Sequence, residues 1–329
     1  MRRHLLLAAA ATTTAVLALS ACGTTEPAAD KKKETKAAEA ITLTGADGKT
    51  VKLDAPAKKV VGTEWDVVEQ LVSLGVEPVG VADIKGYNDW DKAAPLTKSP
   101  KDIGTRGEPS MDTVAALAPD LIVATTDLPP AAVKQLEKVA PVLTLKGADA
   151  KDPIGTMTNK LDLIGKATGT TAKADELKKG FETKLSTAKA ELEKAGHKGT
   201  KFAFADGYLT GNQVGIRPFT SGSLIGAVND KLGLVNPWKV EGDKDYGLGK
   251  ADVEGLTKLD KDTEFAYISN EADKSSTVFD GTLKDNAVWK SLPFVKGNKV
   301  HRLPDGVWMF GGTASMEKYV DSVVTALKK

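Results

Sequence analysis

Short apolar runs that suit buried β-strands alternate with helical segments through most of this sequence, and the alternation occurs in two rounds. The first round begins with the strand-like run 59–62 and ends with the run 142–145. The second begins at 201–205 and closes with a helical segment at 315–327. Strands that alternate with helices are typical of mostly parallel sheets covered by helices. The sequence therefore predicts an α/β protein with two lobes, each built on a mostly parallel central sheet.

The segment between the two rounds predicts two long helices. Pro153 suits the first helical turn and Gly169 suits the end of that helix, while a second helix is predicted over 172–195. The first of these helices would connect the lobes. The predicted domains are therefore an N-terminal lobe at 41–152, a connecting helix at 153–168 and a C-terminal lobe at 169–329. Other predicted elements include a hairpin at 41–44 and 50–53 and a helix at 251–259.

The N-terminus has the layout of a secretory signal. A basic start precedes the apolar run 5–19, which is too short for a stable membrane span. Cys22 is the single cysteine, and the residues around it resemble a bacterial lipoprotein box. We predict a signal peptide over 1–21 and a lipidated Cys22 with a disordered tether over 22–40, which gives an extracytoplasmic protein anchored to the membrane. An ordinary signal peptide with an incidental cysteine is the alternative.

Composition excludes several classes of function. The chain has 45 basic and 44 acidic residues, and nucleic-acid binding needs a basic excess, so no nucleic-acid partner is expected. Beyond His4 in the signal, only His197 and His301 are present, which argues against a metal site built on imidazoles or thiolates. No serine–histidine–aspartate order or phosphate-binding loop appears, so we do not expect an enzyme. The plentiful carboxylates leave glycosidase-type chemistry open as an alternative.

Arginine is scarce in a chain that uses lysine for general charge. Five arginines stand against 40 lysines, and two of the five lie in the signal. Arginine offers a planar fork for oxygen pairs that lysine cannot offer, so Arg106 and Arg217 are candidate binding residues in loops beside strands. Arg302 lies within a strand-like run and is predicted to make a structural salt bridge. The alternative is that all three arginines are ordinary charged residues on the protein surface.

Two segments, one in each lobe, share a layout. In 112–123 and 254–265 an acid opens a short helix, a leucine follows five residues later, an aspartate follows eight residues later, and a strand comes next. An acid in the first turn of a helix is favourable with the helix dipole, which is a sufficient structural reason for both acids. The sharper hypothesis is that Asp112 and Glu254 are exposed carboxylates presented together to one partner.

The chain resembles the solute-binding proteins of iron-siderophore and cobalamin importers, and it is most similar to the ferric hydroxamate-binding branch. The resemblance covers roughly 58–329 and is carried by the stretches 60–83, 102–109, 292–295 and 307–312. It implies a class III solute-binding fold, a monomer, and docking onto an ABC permease through Asp112 and Glu254. The family usually has glutamate at the position of Asp112, so the shorter side chain here is a departure.

The resemblance also implies a siderophore site. Arg106 matches an arginine that contacts hydroxamate oxygens, Trp308 matches a cleft aromatic, and Arg217 lies where some relatives have a second cleft arginine. Where relatives carry a cleft tyrosine, this chain has Thr125-Thr126-Asp127. Further candidates for the cleft wall are the aromatic residues Trp65, Trp90, Tyr208 and Tyr246, whereas Trp238 and Trp289 are predicted to be structural.

The predicted ligand carries its own iron. A ferric tris-hydroxamate encloses the metal in six oxygens, so neither a protein metal ligand nor a cofactor is expected. The alternative is that the same fold binds cobalamin, haem or a catecholate siderophore. Haem usually needs an axial protein ligand, and a ferric catecholate is a polyanion that needs a more basic cleft. A non-transport enzyme or an adhesive lipoprotein is a more distant alternative. A helical connector predicts a small hinge motion.

Overall fold

The computed structural model describes residues 40–211 and 213–328. These residues belong to one compact unit, Ala38–Lys329. The predicted signal peptide, Cys22 and nearly all of the predicted tether lie outside the described residues. Within the described ranges, no helix has both the length and the apolar character that crossing a membrane requires.

The N-terminal lobe contains a hairpin and a five-stranded sheet. The predicted hairpin is present as antiparallel β1 (Ile41–Thr44) and β2 (Thr50–Leu53). The sheet is entirely parallel in the order β5-β4-β3-β6-β7. Its strands are β3 (Val60–Gly62), β4 (Gly80–Val81), β5 (Lys101–Asp102), β6 (Leu121–Thr125) and β7 (Val142–Leu145). The helices are α1 (Trp65–Ser73), α2 (Ile84–Trp90), α3 (Met111–Leu117) and α4 (Pro130–Leu136).

Two long helices follow the first sheet. In α5 (Pro153–Thr168) the Asp152 side chain accepts a hydrogen bond from the Gly155 amide (3.1 Å), and Gly169 ends the helix in the left-handed conformation (φ 75°). α5 packs against α1 of the N-terminal lobe, against a C-terminal helix, α7 (Leu224–Lys231), and against the second long helix, α6 (Thr171–Lys194). A long helix therefore joins the two lobes, as the sequence predicts.

The C-terminal lobe has a four-stranded sheet in the order β11-β10-β8-β9. The pairs β8–β10 and β10–β11 are parallel, and β9 is antiparallel to β8. The strands are β8 (Phe202–Thr210), β9 (Gln213–Pro218), β10 (Glu264–Ile268) and β11 (Val300–Leu303). Besides α7, the helices are α8 (Ala287–Ser291), α9 (Pro293–Lys296) and α10 (Thr313–Leu327), and short 3-10 or π turns occupy Glu254–Lys258, Lys274–Ser276 and Val278–Thr282. The α/β fold with mostly parallel sheets is confirmed.

Two local predictions in the C-terminal lobe are wrong. The segment 251–259 forms only a 3-10 helix, Glu254–Lys258, because Gly255 weakens an α-helix and Leu259 is already extended (ψ 140°). Arg217 lies within β9 and not in a loop. In β9, Val214 and Ile216 alternate with Gly215 and Arg217, but the run is short and contains a glycine and a proline, so its strand character becomes clear only through its pairing with β8.

Residues predicted to be structural have structural partners. Trp289 is buried among Phe265, Phe279 and Phe294, and the Trp238 indole donates to the Phe204 carbonyl (3.0 Å). Arg302 makes ion pairs with Glu271 (3.2 Å), Asp280 (3.3 Å) and Asp305 (3.0 Å). The predicted salt bridge at Arg302 is therefore confirmed.

A buried carboxylate pair ties the lobes together. Glu69 on α1 is fully buried and its Oε1 accepts a hydrogen bond from the Ser315 amide in the first turn of α10 (2.8 Å). Asp91 lies beside it. Burial raises the pKa of both carboxyl groups, and at Asp91 the neighbouring Glu69 raises it further. The pair therefore favours a shared proton, and the capping interaction fixes a C-terminal helix to an N-terminal one.

Candidate ligand-binding cleft

Two adjoining cavities of about 490 Å³ and about 600 Å³ lie between the lobes. Residues that follow β3, β6 and β7 reach the first cavity, because the carboxyl ends of parallel strands meet at one edge of a sheet. Residues of the C-terminal lobe close it from the other side. Both cavities share the side chains of Arg106, Arg217 and Trp308. We describe the two together as the cleft.

All seven residues predicted to bind the ligand line the cleft. The first cavity is lined by Arg106, Arg217, Tyr246 and Trp308. The second is lined by Trp65, Trp90, Arg106, Tyr208, Arg217 and Trp308. The structure thus brings together residues that are more than 200 positions apart in sequence. Their role in binding stays a prediction.

Trp308 is the centre of an aromatic wall. Its ring packs edge-to-face with Trp65 (centroids 4.8 Å apart), Phe310 (5.1 Å) and Trp90 (6.2 Å). Such pairs contribute about 0.5–1.5 kcal/mol each beyond the area that they bury. The wall therefore joins indoles of the N-terminal lobe to aromatic residues of the C-terminal lobe. Its rigid apolar surface suits a compact ligand.

Arg106 is held in place from two sides. Its Cζ lies 3.9 Å from the centroid of the Trp65 ring, a cation–π distance, and its Nη1 donates to Glu64 Oε1 (2.7 Å). The same Glu64 oxygen accepts from the Trp65 amide (3.0 Å) and so caps α1. Burial raises the pKa of Glu64, and Arg106 opposes that effect. The guanidinium is fixed at the cleft with about a third of its side chain exposed.

Arg217 has an equivalent arrangement on the other lobe. It lies directly opposite Asp206 in the β8–β9 register, and its Nε donates to Asp206 Oδ1 (2.9 Å) while Nη2 contacts Oδ2. This is the paired geometry of a strong arginine–carboxylate contact. Burial raises the pKa of Asp206, and Arg217 opposes that effect. The Arg217 Cζ also lies 5.4 Å from the Phe310 ring centroid.

One hydrogen bond crosses the first cavity from lobe to lobe. The Tyr246 hydroxyl donates to Asp127 Oδ2 (2.7 Å), which also accepts from the Thr125 hydroxyl (2.9 Å). Burial, and secondly the bond to Asp127, raise the pKa of the Tyr246 phenol, so the hydroxyl keeps its proton. The Thr125-Thr126-Asp127 sequence therefore supplies a carboxylate acceptor, and the aromatic residue comes from the C-terminal lobe.

A buried ion pair lies behind the first cavity. Lys160 of the connecting helix contacts the Asp66 carboxylate, and its Nζ also donates to the Gly147 carbonyl (2.9 Å). Both side chains are almost fully buried, and Asp66 and Gly147 line the cavity. The connecting helix is therefore bonded to the base of the cleft by an ion pair that is almost fully buried.

Sequence reasoning missed the acids and one aromatic residue of the cleft. Glu64, Asp127 and Asp206 were not candidates, and neither was Phe310. The positions of Glu64 and Asp127, each two residues beyond the end of strand β3 or β6, were an available signal, because such positions face the site in open α/β sheets. Asp206 directly follows the predicted strand 201–205 and carried the same signal, although its partner Arg217 lies on a strand that was not predicted.

The two predicted docking acids are both exposed. Asp112 lies in the first turn of α3, which Ser110 caps, and Glu254 is the first residue of a 3-10 helix in the other lobe. Neither acid takes part in an ion pair within the described residues. Their carboxylates are accessible to a partner. Docking itself stays a prediction.

No group of three or more histidine, cysteine, aspartate or glutamate side chains is placed to hold a metal ion in the part of the chain that the structure describes. His301 bonds Glu264 (2.8 Å) in the C-terminal sheet and lines neither cavity of the cleft. The cleft offers hydrogen-bond donors and aromatic surface, which suit a small molecule.

Two α/β lobes, a connecting helix and a ligand-sized cleft between the lobes define a solute-binding protein. The chain belongs to the periplasmic binding protein family, whose model matches residues 60–306. It is therefore an extracytoplasmic binding protein, and the prediction that it is not an enzyme is confirmed.

Relatives in two bacteria carry names that refer to iron chelates. The chain is 27% identical to the probable siderophore-binding lipoprotein YfiY of Bacillus subtilis, over 95% of both proteins. It is 30% identical to the Fe(3+)-citrate-binding protein YfmC of Bacillus subtilis, over 84% of this chain and 83% of that protein. It is 25% identical to the iron(3+)-hydroxamate-binding protein FhuD of Escherichia coli, over 80% of this chain and 84% of that protein.

A solved structure shares the fold. The siderophore-binding protein FhuD of Vibrio cholerae, bound to Fe3+–Desferal, superposes with a TM-score of 0.73 at 23% sequence identity. The match covers 82% of this chain and 98% of that chain. At this level of identity the likeness shows the fold alone, and it agrees with the class III architecture.

Proposed function

We propose that this protein captures a ferric siderophore of the hydroxamate type and delivers it to an ABC importer. The observation that carries the proposal is the convergence of Arg106, Arg217 and the Trp308 wall on a cleft between the lobes. The described residues hold no metal-ligating cluster, so the proposed cargo is an iron that a chelator already encloses.

The chemistry of the cleft fits a tris-hydroxamate. Such a complex presents oxygens on a compact body, and guanidinium forks donate charge-assisted hydrogen bonds to oxygens of this kind. Its organic backbone packs on aromatic rings. Each cavity of the cleft falls within the range of about 300–1,000 Å³ that is usual for small-molecule sites.

The relatives support a ferric chelate as cargo but differ in the chelator. Their names refer to a siderophore, to citrate and to hydroxamates. The cleft has no excess of cationic side chains, which disfavours polyanionic catecholate complexes. Haem is also disfavoured, because the described histidines lie outside the cleft. Cobalamin is the alternative that these features leave open.

Delivery is proposed to depend on the two exposed acids. Asp112 and Glu254, one on each lobe, would dock onto basic residues of the two permease subunits. A monomer anchored through lipidated Cys22, with residues 22–40 as a tether, would hold the loaded cleft near the importer. In this proposal the N-terminal lobe ends at residue 152, the connecting helix spans 153–168 and the C-terminal lobe begins at residue 169.

Tryptophan fluorescence offers a direct test, because Trp65, Trp90 and Trp308 line the cleft. Purified protein is titrated with a ferric trihydroxamate, ferric citrate, a ferric catecholate, haem and cobalamin, with each iron-free chelator as a control. We expect saturable quenching with the tightest Kd for the ferric trihydroxamate. Tighter binding of haem or cobalamin, or no saturable response to any ferric chelate, would refute the proposal.

A further inference from the structure

The cationic side chains of the cleft are already matched by carboxylates of the protein. Arg106 pairs with Glu64, and Arg217 pairs with Asp206. The third cation that lines the cleft, Lys85, pairs with Asp89 (2.5 Å). Each pair is formed within one lobe. A ligand therefore meets arginines whose charge is locally neutralised.

Further carboxylates shift the balance towards negative charge. The two cavities are lined by seven acidic and three basic side chains among the described residues. Asp66 is balanced from behind by Lys160. Three others, Asp83, Asp127 and Asp273, have no cationic partner within the described residues and accept hydrogen bonds from amides or hydroxyls. The cleft as a whole thus has a negative electrostatic potential at neutral pH.

We infer that Glu64 and Asp206 determine which ferric hydroxamates this protein accepts, by neutralising the two arginines so that cationic and uncharged complexes bind and anionic ones are rejected. The inference rests on the proposed function and deepens it. The paired arginines can still donate their remaining N–H groups to hydroxamate oxygens, because about a third of each side chain is exposed. An anionic group gains little from them and is repelled by the unpaired acids.

Geometry makes both acids suitable for this role. The Glu64 side chain is 19% exposed and that of Asp206 is 10% exposed, so neither charge is strongly screened by water. Each carboxylate is fixed by a second constraint: Glu64 by capping α1, and Asp206 by its place in β8. Burial raises the pKa of both groups, and the adjacent guanidinium opposes that effect.

The test uses one iron-binding core with three net charges. Ferric Desferal carries a pendant ammonium, its N-acetyl derivative has none, and its N-succinyl derivative carries a carboxylate in the same place. Binding of all three is measured by fluorescence quenching at low and high salt. We expect the succinyl complex to bind roughly tenfold more weakly than the acetyl complex at low salt, and the difference to shrink as salt rises.

Variants assign the effect to the two acids. Glu64→Gln and Asp206→Asn keep the side-chain shape, and each should reduce the preference for the acetyl over the succinyl complex, with near parity in the double variant. Glu182→Gln, on an exposed position of α6, removes the same unit charge outside the cleft and should leave the preference unchanged.

The outcomes are distinguishable. Equal affinity of the wild-type protein for all three complexes would overturn the inference while the proposed function stands. This outcome is read from the wild-type protein alone, so it does not depend on whether a variant folds. A preference that both variants leave intact would overturn the assignment to Glu64 and Asp206. If none of the three complexes binds, the proposed function fails and this inference fails with it.

Discussion

Replacing Arg106 by alanine tests the cleft most directly. The guanidinium is held by Glu64 (2.7 Å) and by the Trp65 ring (3.9 Å), so it is positioned before a ligand arrives and little side-chain entropy is lost on binding. A hydrogen bond from a charged donor contributes about 1.5–3 kcal/mol. Arg106→Ala should therefore raise the Kd for a ferric trihydroxamate roughly ten- to hundredfold.

The chain offers a matched control for this substitution. Arg302 is as exposed as Arg106, at 35% of its side chain, and is also ion-paired, but it lines neither cavity of the cleft. Arg302→Ala should leave the Kd unchanged. Calorimetric titration is preferred to fluorescence here, because removing Arg106 alters the surroundings of Trp65. A Kd for Arg106→Ala within twofold of wild type, in a protein that unfolds at the same urea concentration, would refute a contact between Arg106 and the ligand.

Three further predictions concern stability and delivery. Lys160→Met should lower the free energy of unfolding by about 3–5 kcal/mol in urea, because it leaves the Asp66 carboxylate buried without its partner. The double variant Lys160→Met, Asp66→Leu should recover most of that loss. An unchanged urea midpoint for the single variant would contradict the buried pair. Charge reversal at Asp112 and Glu254 should abolish uptake of iron by cells and leave the Kd of the purified protein intact; a weakened Kd would contradict a docking role. Burial holds a proton on Asp91 in the folded protein that the unfolded chain releases above the ordinary pKa of 3.8, so the unfolding free energy should fall as pH rises above that value. Asp91→Asn should make the fall shallower, and identical slopes would refute the shared proton.

The regular elements of the fold were predictable because local patterns specify them. The connecting helix has its start and stop residues in sequence, Pro153 and Gly169, and the structure has α5 at Pro153–Thr168. β9 was not found in this way, since Gly215 and Pro218 are poor strand formers and interrupt a short run in which only Val214 and Ile216 favour a strand. The single turn at Glu254–Lys258 is a similar case, because a few residues without a long amphipathic pattern do not decide between helix types.

The candidate site was predictable in its rare residues and not in its common ones. Three arginines lie beyond the predicted signal peptide, so each could be considered in turn, and the two selected for binding do line the cleft. The chain has 44 acidic residues, and a position at the end of a strand can bring Glu64 and Asp206 to the site without indicating which arginine each one pairs with. Long-range pairing decides which charges meet, and it also decides the net charge that a ligand encounters.

Direct bonds between the lobes have a consequence for transport. Glu69 holds the start of α10, Tyr246 reaches Asp127 across the cavity, and the Asn270 amide donates to the Asp89 carbonyl (2.9 Å). These contacts resist a wide separation of the lobes, so we expect the outline of the protein that a permease meets to change little on loading. If the hinge motion is as small as we expect, an importer cannot rely on gross shape to reject empty copies. It would have to distinguish loaded copies at the rim of the cleft or through the speed of the subsequent transport step.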